Sequence, residues 1–304
     1  MNDEHGTDGR SEAHAPPTER HGVSSRKVAH RNELLALRLV GYFGHLRTLD
    51  FAAALYPGVG HKSAYEMVRR TVRRLSDAGE LLERRNAIGT TSYVLAKRGV
   101  SRLQQAGFDA KPGYEISSVA GGTFLHRALT TSYLLHRMHS RVHPIGEYAL
   151  LTGQTDLDPI RLKAAYRKLP DGLCISTGNP AYHAGVQLVE WVETEFSFKP
   201  DEELDRVIAL EGAIGPPLAG MAGWVFDRLT VLCDATSGHA ERILRRIPKW
   251  MSMHAGRFTN RDAGFDCTFI MLADITPPMT VTGFTTLCVG EELRRRGVWR
   301  PRFT

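Results

Sequence analysis

Residues 62–95 constrain this chain more than any other stretch. Ala64, Met67, Val68, Thr71, Val72 and Leu75 recur at intervals of three and four, which places one apolar stripe along a helix. Lys62, Arg69, Arg70, Arg73 and Arg74 fall between those positions and so occupy the other faces. The stripe stops at Asp77-Ala78-Gly79, where Gly79 suits the left-handed residue that closes a helix. Two short extended runs follow, 81–85 and 90–95, on either side of a turn at 86–89. Upstream, Leu34, Leu35, Leu37, Leu39, Val40 and Phe43 space out a first helix, and 49–55 a short second one. Pro57-Gly58-Val59-Gly60 then turns the chain into the basic helix. Helix, helix, turn, helix, hairpin is the order of a winged helix-turn-helix, whose third helix enters a major groove while the hairpin lies along the phosphates.

An arginine-rich amphipathic helix by itself reads equally well as a solvated face. The order of elements around it favours double-stranded DNA as the partner. The expected groove contacts are Lys62, Ser63, Tyr65, Arg69, Arg70 and Arg73, with Arg84 and Arg85 of the hairpin on the backbone or in the minor groove. The charge distribution agrees. Residues 31–105 hold 13 Lys and Arg against 6 Asp and Glu, whereas residues 106–304 hold 22 of each. The net charge of +6 therefore resides in the basic-helix segment, as counterion-release binding to a polyanion requires.

Residues 1–30 are polar, with almost no large apolar side chain, and are expected to be disordered. The winged helix is expected over 31–112, a linker with a long helix over 113–145, and an α/β unit over 146–290. A basic tail, 291–304, is read as solvated. Within the α/β unit, strands are expected at 148–151, 173–176, 186–196, 229–233 and 268–272. Helices are expected at 158–168, 200–210, 221–227 and 239–250. That alternation predicts a sheet of mixed direction flanked by helices. The four cysteines lie far apart in apolar runs and fit no metal-ligand spacing. His136 and His139 stand one helical turn apart without an acidic or thiol companion, and no glycine-rich phosphate loop is present. The N-terminus is polar and no apolar run approaches about 18 residues, so the expectation is a cytoplasmic protein with no membrane partner.

One strand carries a candidate for chemistry. Side chains alternate along a strand, so Trp191, Glu193 and Glu195 share one face, and Glu190, Val192, Thr194 and Phe196 the other. Two carboxylates on one face of an apolar strand require compensation. The available sources are a divalent cation, the ammonium of Lys199, or exposure at the strand's end. Asp171 begins the preceding strand and so can stand beside the pair. An Asp, Glu residues and a Lys are the parts of a metal-dependent phosphodiesterase, in which carboxylates hold Mg²⁺ against the scissile phosphate.

Pro170-Asp171-Gly172 followed by VETEFSFKPDEEL at 192–204 resembles the sheet of the PD-(D/E)XK nuclease-like fold. Over about residues 31–250 the whole arrangement resembles the replication-relaxation family of actinobacterial and plasmid proteins. The resemblance implies a winged helix-turn-helix ahead of a restriction-endonuclease-like mixed β-sheet. It also implies a role in replication, relaxation, mobilisation or transcriptional control of a mobile element. The chain departs from the nuclease pattern where a lysine should follow the acidic residue by two. Glu195 stands there, and the nearest lysine is Lys199 beyond the strand. Two readings result. In the first, the protein binds DNA without catalysis and needs no cofactor, and its α/β unit serves for dimerisation or for contact with replication or mobilisation proteins. In the rival, it is a Mg²⁺- or Mn²⁺-dependent endonuclease or nickase, with Asp171, Glu193 and Glu195 as metal ligands and Lys199 completing the site.

Overall fold

The computed structural model describes residues 25–86, 88–112, 119–140, 142–177, 185–197, 199–254, 264–277 and 279–298. Its first part runs α1 (Ser25–Phe43), β1 (His45–Arg47), α2 (Thr48–Leu55), α3 (His61–Asp77), β2 (Leu81–Arg85), β3 (Thr91–Leu95) and α4 (Lys97–Gln105). The strands form an antiparallel sheet in the order β1-β3-β2.

The α3 stripe is buried through Ala64, Val68, Thr71, Val72 and Leu75. The helix ends as its glycine requires: Gly79 has φ of 68°, Glu80 N–H donates to Leu75 O at 2.8 Å, and Gly79 N–H to Ser76 O at 2.9 Å. This pair of bonds satisfies carbonyls that the helix end would otherwise leave open. Asn86 builds the β2–β3 turn. Its carbonyl oxygen accepts from the amides of Ile88 and Thr90, and its amide donates to the hydroxyls of Thr90 and Ser92.

The second part runs α5 (Gly121–Met138), β4 (His143–Gly146), α6 (Glu147–Leu151), α7 (Pro159–Tyr166), β5 (Gly172–Thr177), β6 (Gln187–Glu195), α8 (Asp201–Ala209), β7 (Trp224–Asp234), α9 (His239–Met253), β8 (Thr268–Thr276), β9 (Thr280–Cys288) and α10 (Val289–Arg295). Its six strands lie in the order β4-β5-β6-β7-β8-β9. The β6–β7 and β7–β8 pairs are parallel, as the intervening helices α8 and α9 dictate, and the outer pairs are antiparallel.

Helices cover both faces. On one, α5 buries Phe124, Leu129 and Leu134 in a core that includes Cys174, Val192 and Leu232 of the sheet and continues into α1–α4. Gly172 permits the close approach, because a Cβ there would lie 2.8 Å from Leu134. On the other face, Leu204 and Val207 of α8 and Ile243 and Ile247 of α9 meet Trp191, Val231 and Ile270. Arg47 ties the two parts together: it pairs with buried Asp50, and donates to Ser132 Oγ on α5 and to Met279 O between β8 and β9.

Several expectations need correction. Residues 25–30, read with the disordered tail, open α1, while 1–24 lie outside the described residues. The run 148–151 belongs to helix α6, and the strand is β4 just before it. A short apolar run does not distinguish helix from strand. Residues 224–227, expected within a helix, begin β7. Strand β9 was not expected, since a half-exposed, threonine-rich edge carries no apolar signature. The segment 113–145 holds α5, which covers the sheet, as well as the 113–118 stretch outside the described residues. The basic tail begins inside α10, and 299–304 lie outside the described residues. Among the described residues, no helix is long and apolar enough to cross a membrane.

Candidate nucleic-acid interface and buried acidic cluster

Burial of the α3 stripe pushes the helix's cations outward. Lys62, Ser63, Arg69, Arg70 and Arg73 are exposed, and Tyr65 is half-buried at their edge. Their restraints are weak. Arg69, 61% exposed, meets Glu66 at 3.3 Å, and Arg73, 84% exposed, meets Asp77 at 3.8 Å. Such pairs contribute little in water. Lys62 and Arg70 have no hydrogen-bond or ion-pair partner among the described residues. Arg74 differs: it turns back to Glu33 of α1 at 2.8 Å and braces the helix. In the hairpin, Arg85 is exposed beside the turn, while Arg84 donates to the Glu83 carbonyl.

Several basic residues of the α/β unit are held far more tightly. Arg246 makes a two-pronged contact with Asp205 at 2.6 and 2.7 Å and reaches Asp201 at 2.9 Å. Arg242 also meets Asp201, and Arg296 joins Glu241 to Glu292. Arg294 pairs with Asp266 and Arg295 with Glu292. The hydrogen bonds from Arg295 and Arg296 hold the Glu292 carboxyl down to about 2. The start of the basic C-terminal run is therefore neutralised by the chain's own carboxylates.

The alternation expected for β6 is observed. Val192 and Thr194 face α5, where the Thr194 and Thr130 hydroxyls meet at 2.7 Å. Glu190 lies on the same side and accepts from Tyr133, Thr230 and both prongs of Arg137. Trp191, Glu193 and Glu195 take the other face. The Trp191 indole donates to Glu193 Oε1 at 2.6 Å, and Lys168 Nζ sits 2.9 Å from Glu193 Oε2. Lys199 Nζ pairs with Glu195 Oε1 at 2.8 Å and also reaches the Thr194 carbonyl.

Asp171 stands where β5 begins. Its Oδ2 accepts from the Thr194 amide at 2.8 Å, replacing the strand carbonyl that β5 no longer supplies. The same oxygen lies 3.0 Å from His126 Nε2 of α5. Burial raises the Asp171 carboxyl, but the His126 hydrogen bond and charge, with Lys168 and the Thr194 amide, hold it below its ordinary value. Glu193 moves the opposite way, to about 8, because burial and the Asp171 charge outweigh Lys168 and the Trp191 donor.

The structure thus sets Asp171, Glu193, Glu195 and Lys199 at one end of the sheet, with each carboxylate engaged by a cation or a histidine. Lys168 and His126 belong to this cluster and escaped the sequence reading. The signal for Lys168 was its position three residues before Asp171, where the turn into β5 returns it to β6. His126 gave none, because α5 reaches the sheet only through tertiary packing. Among the described residues, no group of three or more His, Cys, Asp and Glu side chains is arranged to hold a metal ion. The donor set therefore does not fit a divalent metal as it stands. His139 is occupied with the Ala53 carbonyl, and all four cysteines are free thiols. No protein-family model, no curated protein and no solved structure matches the chain.

Proposed function

We propose that this is a double-stranded DNA-binding protein in which α1–α4 with the β2–β3 hairpin act as a winged helix-turn-helix. Helix α3 enters the major groove through Lys62, Ser63, Tyr65, Arg69, Arg70 and Arg73, and Arg84 and Arg85 meet the backbone beside it. One observation carries the reading: Lys62, Arg69, Arg70 and Arg73 of α3 are exposed and at most loosely paired, while Arg242 and Arg246 of α9 and Arg294 of α10 are tied to carboxylates. A cation without an internal partner is the kind that releases counterions on meeting phosphate. On this reading the six-stranded unit is a restriction-endonuclease-like scaffold without catalysis. A role in replication, relaxation, mobilisation or transcriptional control of a mobile element follows only from the resemblance of the arrangement over about residues 31–250.

The test is fluorescence anisotropy on a duplex across a salt series, comparing the intact chain with Arg69→Ala/Arg73→Ala. The double variant should lose about 2–4 kcal/mol of binding, and its salt slope should fall by about 2. Unchanged affinity and slope would remove α3 as the DNA contact. The rival reading, a Mg²⁺- or Mn²⁺-dependent endonuclease, draws on one observation, Lys168, Asp171 and Glu193 side by side. Burial weighs against it, since a phosphate must reach its metal and Glu193 is 0% and Glu195 1% exposed.

A further inference from the structure

The end of β6 gathers carboxyl groups in the interior. Glu193 and Glu195 are both buried, and Asp171 stands at the neighbouring strand's start. Isolated carboxylates in such surroundings are strongly unfavourable, and a positive partner or a bound proton relieves them. The chain supplies two positive partners. Lys168 approaches Glu193 from the segment before β5, and Lys199 approaches Glu195 from the segment after β6. Two ammonium groups carry the charge of one divalent ion.

Two further acceptor atoms of the cluster are also engaged. The Trp191 indole takes Glu193 Oε1, and His126 with the Thr194 amide takes Asp171 Oδ2. Asp171 and His126 border a cavity of only about 30 Å³, room for a single water, and neither glutamate nor either lysine lines it.

We propose that Lys168 and Lys199 are the resident counter-cations of this cluster, standing where a carboxylate-lined phosphodiesterase site holds its metal, so that the intact chain takes up no Mg²⁺ or Mn²⁺ there. The cluster works as a clasp, fastening the approach to β5 and the exit from β6 to one end of the sheet. This holds whether or not α3 binds DNA.

Titration calorimetry with MnCl₂ on the full chain tests the proposal, with a thermal melt of each sample. The intact chain and Lys163→Met, which alters an exposed lysine of α7, should give no saturable binding. Lys168→Met should bind Mn²⁺ at least about tenfold more tightly than the intact chain, and Mn²⁺ should raise its melting temperature. Adding Glu193→Gln to Lys168→Met should abolish that gain. Lys168→Arg keeps the charge and should fold and remain blind to Mn²⁺. Saturable binding by the intact chain that Glu193→Gln removes would overturn the proposal. So would a folded Lys168→Met with no gain, an unfolded one that Mn²⁺ does not rescue, or Mn²⁺ binding by Lys168→Arg.

Discussion

The outward cations of α3 and the paired cations of the six-stranded unit belong to the same side-chain types but have opposite fates. On α3, Arg69, Arg70 and Arg73 point to water, and the carboxylates near them are few and distant. In the larger unit, Arg137 and Arg246 close on carboxylates at 2.6–3.1 Å, and Lys168 and Lys199 reach into a buried cluster. The difference shows that net charge alone says little about partners. A cation spent inside the fold stabilises it, and a cation left outside is available to a polyanion.

Substitutions can break this contrast, and the largest effect is expected at Arg137. Arg137→Ala leaves Glu190, 5% exposed, without the one ion-pair partner it has among the described residues, although Tyr133 and Thr230 still donate to it. Denaturant unfolding should show a loss of about 3–5 kcal/mol, with DNA affinity unchanged for the folded fraction. Arg69→Ala/Arg73→Ala should do the reverse: the binding loss given above, with stability within about 0.5 kcal/mol of the intact chain. Arg242→Ala/Arg246→Ala releases Asp201 and Asp205 at the surface. A melt should register a small loss of stability for that surface network, well below the Arg137→Ala loss, and DNA binding should stay within about twofold. The smallest change should come from Glu66→Gln on α3. It removes the acid beside Arg69, so DNA affinity at low salt should rise by about twofold while the helix loses about 0.3 kcal/mol.

The features legible in the sequence were those set by local periodicity. The α3 stripe, the Gly79 stop and the alternation of β6 each depend on residues within a few positions of one another. What escaped depended on distant partners. Lys168 meets Glu193 only because the β5–β6 ladder sets Gly172 opposite Val192. Strand β9 exists only because β8 offers it an edge, and α6 takes its helical form after a β4 strand that contains Pro144. The Asp171 position was legible from its place before β5, but its use as a substitute strand carbonyl was not.

On the proposed reading, the outward cations of α3, and not the paired ones of α9, make the DNA interface. The most direct test measures affinity for one duplex across a salt series for the intact chain, Arg69→Ala/Arg73→Ala and Arg242→Ala/Arg246→Ala side by side. The slope should fall by about 2 for the α3 variant and stay unchanged for the α9 variant. Equal losses in both variants, or a loss confined to α9, would contradict that reading.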